Sequence, residues 1–136
     1  GGMLASRLIN VPGVSETFRA GYTTYSNRAK QKVAGVKKKT LEKYGAVSPQ
    51  TAEEMARGAA KAAHADATVS VTGIAGPDGG SREKPVGLVY IGCHLGDRTV
   101  VQEYRFVGNR GKIRESAVSA ALTLLRRCIL TAEPAQ

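Results

Sequence analysis

The sequence predicts an α/β fold, a three-layer α/β/α sandwich on a mixed, partly parallel sheet. Segments with helical spacing alternate with short β-branched runs along the chain, the pattern of helices covering both faces of a sheet. Near the end, "VGLVYIGCHL" and "TVVQEYRFV" are separated by Gly96-Asp97-Arg98, a hairpin signal that gives one antiparallel pair. The other strands are joined through helices, which calls for parallel pairing. With 136 residues and 42% hydrophobic content, the chain is long enough for one domain with a real core and too short for two. A single domain is expected over residues 1–130, followed by a tail over 131–136.

Residues 3–10 read as a short amphipathic helix, with Leu4 and Leu8 at helical spacing and a stop at Pro12-Gly13. The chain enters this helix directly from Gly1-Gly2, so a strand and turn are expected upstream of it. "RAGYTTYS", Arg19 to Ser26, alternates β-branched and aromatic residues and reads as a strand. Ser26 then caps a helix running from Asn27 to Gly35, its hydroxyl accepting an otherwise unpaired backbone N–H. A small helix spans roughly Thr40 to Tyr44 and stops at Gly45. In "SPQTAEEMARGAAKAAHA", Ser48 is the N-cap, Pro49 the first helical residue, and Glu53 and Glu54 sit early, where acids suit the dipole. Ala52, Met55, Ala59 and Ala63 form its apolar stripe, and it should end near Ala65. Ala67 to Thr72 is a short strand that leads into a loop rich in glycine. The last helix runs from about Asn109 to Leu130, with Ile113, Ala117, Ala120, Ala121, Leu124, Leu125 and Cys128 on one face.

A net charge of +9 favours an anionic partner: nucleic acid, an anionic membrane surface or a phosphorylated small molecule. No apolar run approaches the ~20 residues that cross a bilayer, and the first residues carry no signal-peptide pattern, so the chain reads as soluble and cytoplasmic. Cys93, Cys128, His64 and His94 lack clustered spacing, so no metal site is expected. Two buried free thiols fit a reducing compartment.

Four places can carry chemistry. The loop "TGIAGPDGG" begins where a strand ends, and its glycines let backbone N–H groups approach a phosphate or carboxylate; it matches neither the dinucleotide fingerprint nor the P-loop, and a plain connection is the competing reading. In "TYSNRAK", Tyr25 and Ser26 lie at the strand-to-helix junction and Lys30 returns to the same side four residues after Ser26. A lysine with suppressed charge can serve as base for a hydroxyl nucleophile; the bland alternative is a capping serine and a solvated charge. "GNRGKIRE" puts Arg110, Lys112 and Arg114 in the first turns of the last helix, where they oppose its dipole unless an anion binds. The lysines around "VKKKTLEK" lack aromatic interleaving and read as a solvated face.

"RAGYTTYSNRAK", "YGAVSPQTAEEMARGA", "VSVTGIAGPDGGSREKPVGLVYIG" and "FVGNRGKIRESAV", in that order, resemble the CinA carboxy-terminal domain, the nicotinamide mononucleotide deamidase family, over Gly1 to about Leu130. The resemblance implies a bacterial enzyme of pyridine-nucleotide recycling that hydrolyses the carboxamide of nicotinamide mononucleotide to nicotinic acid mononucleotide and ammonia. It also implies a sheet of about five strands, the first lying upstream of Gly1. The family's first motif is Glu-Ser-Cys-Thr-Gly-Gly, whose closing glycines match Gly1 and Gly2; the serine regarded as nucleophile would precede them. Lys30 resembles the general base and Tyr25 the polar residue beside it. Gly1, Gly2, Ser26, Asn27, Thr72, Gly73, Ala75 and Gly76 match substrate-pocket positions, and Arg110 a phosphate or ribose contact. Family members often carry aspartate where Asn109 stands, which puts a carboxylate-dependent role there in doubt.

Amide hydrolysis by a hydroxyl nucleophile needs a base, oxyanion donors and an acid for the departing ammonia, with no metal or cofactor required. The competing class is a non-catalytic nucleotide or nucleic-acid binding module linked to competence or DNA damage, motivated by the charge. Nucleic acid is the less favoured partner because no recognition motif is present. The family suggests a homo-oligomer, and no membrane association is expected.

Overall fold

Among the described residues nine elements follow one another: α1 (Met3–Leu8), a 3-10 turn (Val14–Glu16), α2 (Asn27–Lys32), α3 (Lys38–Tyr44), α4 (Pro49–Ala63), β1 (Ala67–Gly73), β2 (Leu88–Leu95), β3 (Arg98–Arg105) and α5 (Arg110–Leu130). The computed structural model describes residues 1–132. Its sheet has the order β1-β2-β3, with Val71 opposite Ile91 and Gly92 opposite Val101. The hairpin turn between β2 and β3 is Gly96-Asp97, with Gly96 at φ 65° in the left-handed region that glycine enters without strain.

Strand alternation sends two different sets of side chains to the two faces. Val89, Ile91 and Cys93 point to one face and pack against Ile113, Ala117, Ala121 and Leu124 of α5, forming the main core. The opposite face is small and polar, and α4 lies on it. Thr68 Oγ1 donates to the Ala56 carbonyl (2.5 Å), Ser70 Oγ to Ala52 (2.6 Å) and Thr72 Oγ1 to Ala46 (2.7 Å). Alternate hydroxyls of β1 thus stitch the strand to α4 and to the turn before it, each net bond contributing about 1 kcal/mol. Gly92 completes the close approach, since a Cβ there would lie 2.7 Å from both the Ala52 carbonyl oxygen and Ser70 Oγ. A helix on each face of the sheet makes the expected α/β/α sandwich.

A satellite core of Ala34, Val36, Leu41 and Met55 joins α3 to α4. Glu54 of α4 accepts from the Lys37 backbone N–H (2.9 Å) and from Thr40 Oγ1 (2.7 Å), so its carboxylate caps the preceding helix, α3, rather than its own. Glu53 pairs with Arg57 one turn on. Ser48 caps α4 as expected, accepting from Thr51 N–H at 3.2 Å and donating to the Gly45 carbonyl at 3.0 Å.

Several expectations are corrected. The sheet of the described residues is antiparallel throughout, not partly parallel, and has three strands. Arg19 to Ser26 is not a strand: it runs without regular structure and joins no ladder. Strand propensity reports fit to a paired, half-buried surface, and this segment borders a cavity instead of a neighbouring backbone. Helix α2 stops at Lys32, short of Gly35. Helix α3 begins two residues before Thr40 and α4 ends at Ala63, with His64 in the left-handed conformation. The stripe of α4 is also rotated: Thr51, Ala52, Met55, Ala56 and Ala60 are buried, while Ala59 and Ala63 face the cavity. Within the expected tail, residues 133–136 lie outside the described residues.

Candidate active site

The chemistry-bearing residues converge on a cavity of about 760 Å³ that runs beside the edge of β1 away from β2. Leu8, Phe18, Ala63, Leu125 and Ile129 give part of its lining an apolar character. The end beyond Thr72 and Gly73, at the carboxyl end of β1, is polar and receives Tyr25, Lys30 and Arg110. Ligand sites in open α/β folds favour this end of a strand.

Lys30 occupies the last turn of the short helix α2, whose start is fixed by Ser26 Oγ accepting from Ala29 N–H at 3.1 Å. The helix turns the lysine inward: its side chain is buried, and Nζ donates to the Thr24 carbonyl at 2.7 Å. Burial pushes its pKa below the usual lysine value of 10.5. In its deprotonated form the amine can keep one N–H on Thr24 and present a lone pair, which is what a general base needs.

Tyr25, one residue before the cap, is largely exposed, and its hydroxyl accepts from Arg110 Nη2 at 3.1 Å. Arg110 Nη1 donates to the Gly76 carbonyl at 2.9 Å. One guanidinium at the start of α5 therefore ties together the α2 approach and the glycine loop, with the fork geometry that arginine provides. Asn109 caps α5, its Oδ1 accepting from Lys112 N–H at 2.9 Å. The loop keeps its shape through backbone bonds from Ile74 N–H to the Leu88 carbonyl and from Gly87 N–H to Ile74. Gly76 sits at φ 75°, and a Cβ there would lie 2.5 Å from Val86 Cγ1, so the loop needs glycine twice over. Lys84 Nζ donates to the Tyr44 carbonyl at 2.5 Å and fastens the loop to α3.

Of the residues singled out in the sequence, Gly1, Gly2, Tyr25, Asn27, Lys30, Thr72, Gly73, Ala75 and Arg110 line this one cavity. Ser26 and Gly76 do not: the serine hydroxyl caps α2, and Gly76 contributes its carbonyl to Arg110. Arg19 and Arg114 also line it. Arg114 was visible only as a basic residue in the first turns of a helix, and Arg19 only as part of an extended run. The cavity wall thus carries Arg19, Lys30, Arg110 and Arg114 and no carboxylate among the described residues, an arrangement that favours an anionic ligand. Lys112 points elsewhere, its stem packing over Gly108.

Residues 1–129 match the family model described as the CinA C-terminal domain. The chain is 55% identical over 93% of its length to a putative competence-damage inducible protein of Clostridium novyi, and 53% identical over 96% to a CinA-like protein of Kosmotoga olearia. It spans about a third of those relatives, covering 31% and 32% of their lengths. Among solved structures, it superposes on the competence/damage inducible protein CihA of Agrobacterium tumefaciens with TM-score 0.91 and 43% identity, covering 93% of this chain and 78% of that one. The competence damage-inducible protein A of Klebsiella pneumoniae superposes with TM-score 0.93 and 31% identity, covering 98% and 83%.

Proposed function

Because the chain belongs to the CinA C-terminal domain family, we propose that its cavity binds a phosphorylated pyridine nucleotide and hydrolyses the carboxamide of nicotinamide mononucleotide. The observation that carries this reading is Lys30: a buried amine with depressed pKa, held on the Thr24 carbonyl, in a cavity walled by cations. A lysine so placed suits proton transfer, while the arginines suit a phosphate.

In the proposed reaction, the nucleophile is the serine that the resemblance assigns to a segment preceding Gly1. Its oxygen attacks the carboxamide carbon as the neutral Lys30 amine takes its proton. Backbone N–H groups near Gly1-Gly2 or in the glycine loop hold the developing oxyanion. Lys30 returns the proton to the amide nitrogen, the C–N bond breaks, and ammonia leaves. Water then cleaves the acyl-enzyme, with Lys30 again accepting a proton and the serine regaining it. Arg110 orients the nucleotide and keeps Tyr25 and the loop in register.

The test is release of ammonia and nicotinic acid mononucleotide by the full-length protein. Lys30→Ala should lower kcat by roughly 10²- to 10⁴-fold. No turnover by the parent, or equal turnover by the variant, would sink the reading.

A second reading rests on the exposed Lys37, Lys38, Lys39 and Lys43 around α3. It makes the domain a nucleic-acid binding module and predicts oligonucleotide binding that weakens steeply with salt. Lys38 pairs loosely with Glu42 at 3.9 Å and Lys43 lies over the Tyr44 ring at 5.2 Å, so part of this charge is already engaged.

A further inference from the structure

β3 is the second edge of the sheet, on the side away from the cavity, and the proposed hydrolysis uses none of it. Phe106 N–H donates to the Gly87 carbonyl at 2.9 Å, which fixes the phase of the β2–β3 ladder. Val100, Gln102, Tyr104 and Phe106 therefore direct their backbone groups to β2, and Thr99, Val101, Glu103 and Arg105 direct theirs outward. Among the described residues, no other backbone segment takes up these outward groups. Open edges are usually blunted by proline, by a bulge or by lysine. Arg98–Arg105 has none of these, its register with β2 is unbroken, and α4 and α5 pack on the faces of the sheet. Val107, two residues past the strand, is 84% exposed, and the Tyr104 and Phe106 rings stack with centroids 5.3 Å apart.

We propose that the β3 edge is an interface between two copies of this chain, paired antiparallel about a twofold axis at Tyr104, so that two three-stranded sheets become one. The charge pattern selects both the occupant and the register. With Tyr104 opposite itself, Glu103 of each chain faces Arg105 of the other in the hydrogen-bonded pairs, and Val101 faces the exposed Val107. Moving the axis by one residue sets Glu103 against Glu103 or Arg105 against Arg105, which is repulsive. An axis at Gln102 leaves Glu103 opposite Val101 and Arg105 opposite Thr99, with no charge match. Within its own chain Arg105 uses only Nε, donating to Glu103 Oε2 at 3.2 Å, so both terminal guanidinium nitrogens remain for the carboxylate across the axis. The Tyr90 hydroxyl donates to Glu103 Oε1 at 2.8 Å and holds that carboxylate at the edge. On the opposite face, the close Tyr104 pair brings two stacked Tyr104–Phe106 sets together. A strand of unrelated sequence leaves Glu103 and Arg105 unmatched, so the charges that favour a second copy disfavour other partners. The two cavities, along the β1 edges, lie at the far ends of the joined sheet and stay open.

The test is sedimentation equilibrium of the full-length protein from low to high micromolar concentration, with a reversible monomer–dimer equilibrium as the expected result. Val101→Pro removes an outward N–H and leaves the β2 ladder intact, so it should weaken the dimer by roughly tenfold or more while the circular dichroism stays that of the parent. Glu103→Arg and Arg105→Glu should each weaken self-association by roughly tenfold or more. An equimolar mixture of those two variants should dimerise again, because each then meets the opposite charge across the axis. The readout is association rather than turnover, so it stands apart from the outcome for hydrolysis. Three results would overturn the proposal: a parent that stays monomeric throughout, a dimer unmoved by the charge variants, or association that appears only with an added oligonucleotide.

Discussion

Lys30 illustrates how one residue takes its chemistry from its surroundings. As part of "TYSNRAK" it was one lysine in a basic chain, and only its return to the side of Ser26 and the family resemblance marked it. The structure buries it and pairs its amine with a carbonyl that no sequence pattern identifies. The depressed pKa has a consequence for stability. Between the folded-state value and 10.5, the unfolded chain binds more protons at this lysine than the folded one, so its contribution to stability rises with pH and levels off above 10.5. Compared with Lys30→Met, the parent should therefore gain stability from neutral pH toward 10.5. Urea unfolding of both proteins across that range measures the difference, and parallel curves would contradict the burial argument. The kcat/KM of the parent should rise with pH through the same ionisation.

At the scale of elements, local signals placed the helices well because caps and breakers act within a few residues. Ser48 with Pro49, Ser26 and Asn109 each begin a helix where expected. What they did not specify was which face of α4 meets the sheet. That rotation follows from the hydroxyls of Thr68, Ser70 and Thr72 reaching helix and turn carbonyls, and from Gly92, which lets the helix close in. Gly58 makes the same point within α4. Helix propensity alone says Gly58→Ala should stabilise by about 1 kcal/mol. A Cβ at that position would collide with the Ala34 carbonyl, so the substitution should instead destabilise by roughly 2 kcal/mol or more. Denaturant midpoints of parent and variant decide between the two signs. The segment Arg19 to Ser26 failed as a strand for the converse reason: alternation is local, but a strand exists only where another backbone completes its ladder.

Across the whole molecule, three arginines from distant parts of the chain reach the cavity that holds Lys30: Arg19, Arg110 and Arg114. If a nucleotide phosphate binds among them, Arg114→Gln should raise KM for nicotinamide mononucleotide about three- to tenfold with little change in kcat. It should leave binding of the riboside, which lacks the phosphate, nearly unchanged. Steady-state kinetics and riboside titration check both halves, and equal effects on nucleotide and riboside would exclude a phosphate contact. Among the described residues, no helix is long and apolar enough to cross a membrane. The sequence by itself determined the starts of the capped helices α2, α4 and α5, the β2–β3 hairpin and the layered fold class, because caps, tight turns and hydrophobic period are encoded within a few residues. Only the tertiary structure decided that Lys30 is buried, that Arg110 clamps Tyr25 to Gly76, and that Ser26 faces away. Those are contacts between segments as many as 85 positions apart, fixed by how α4 and α5 pack on the two faces of the sheet rather than by any local pattern.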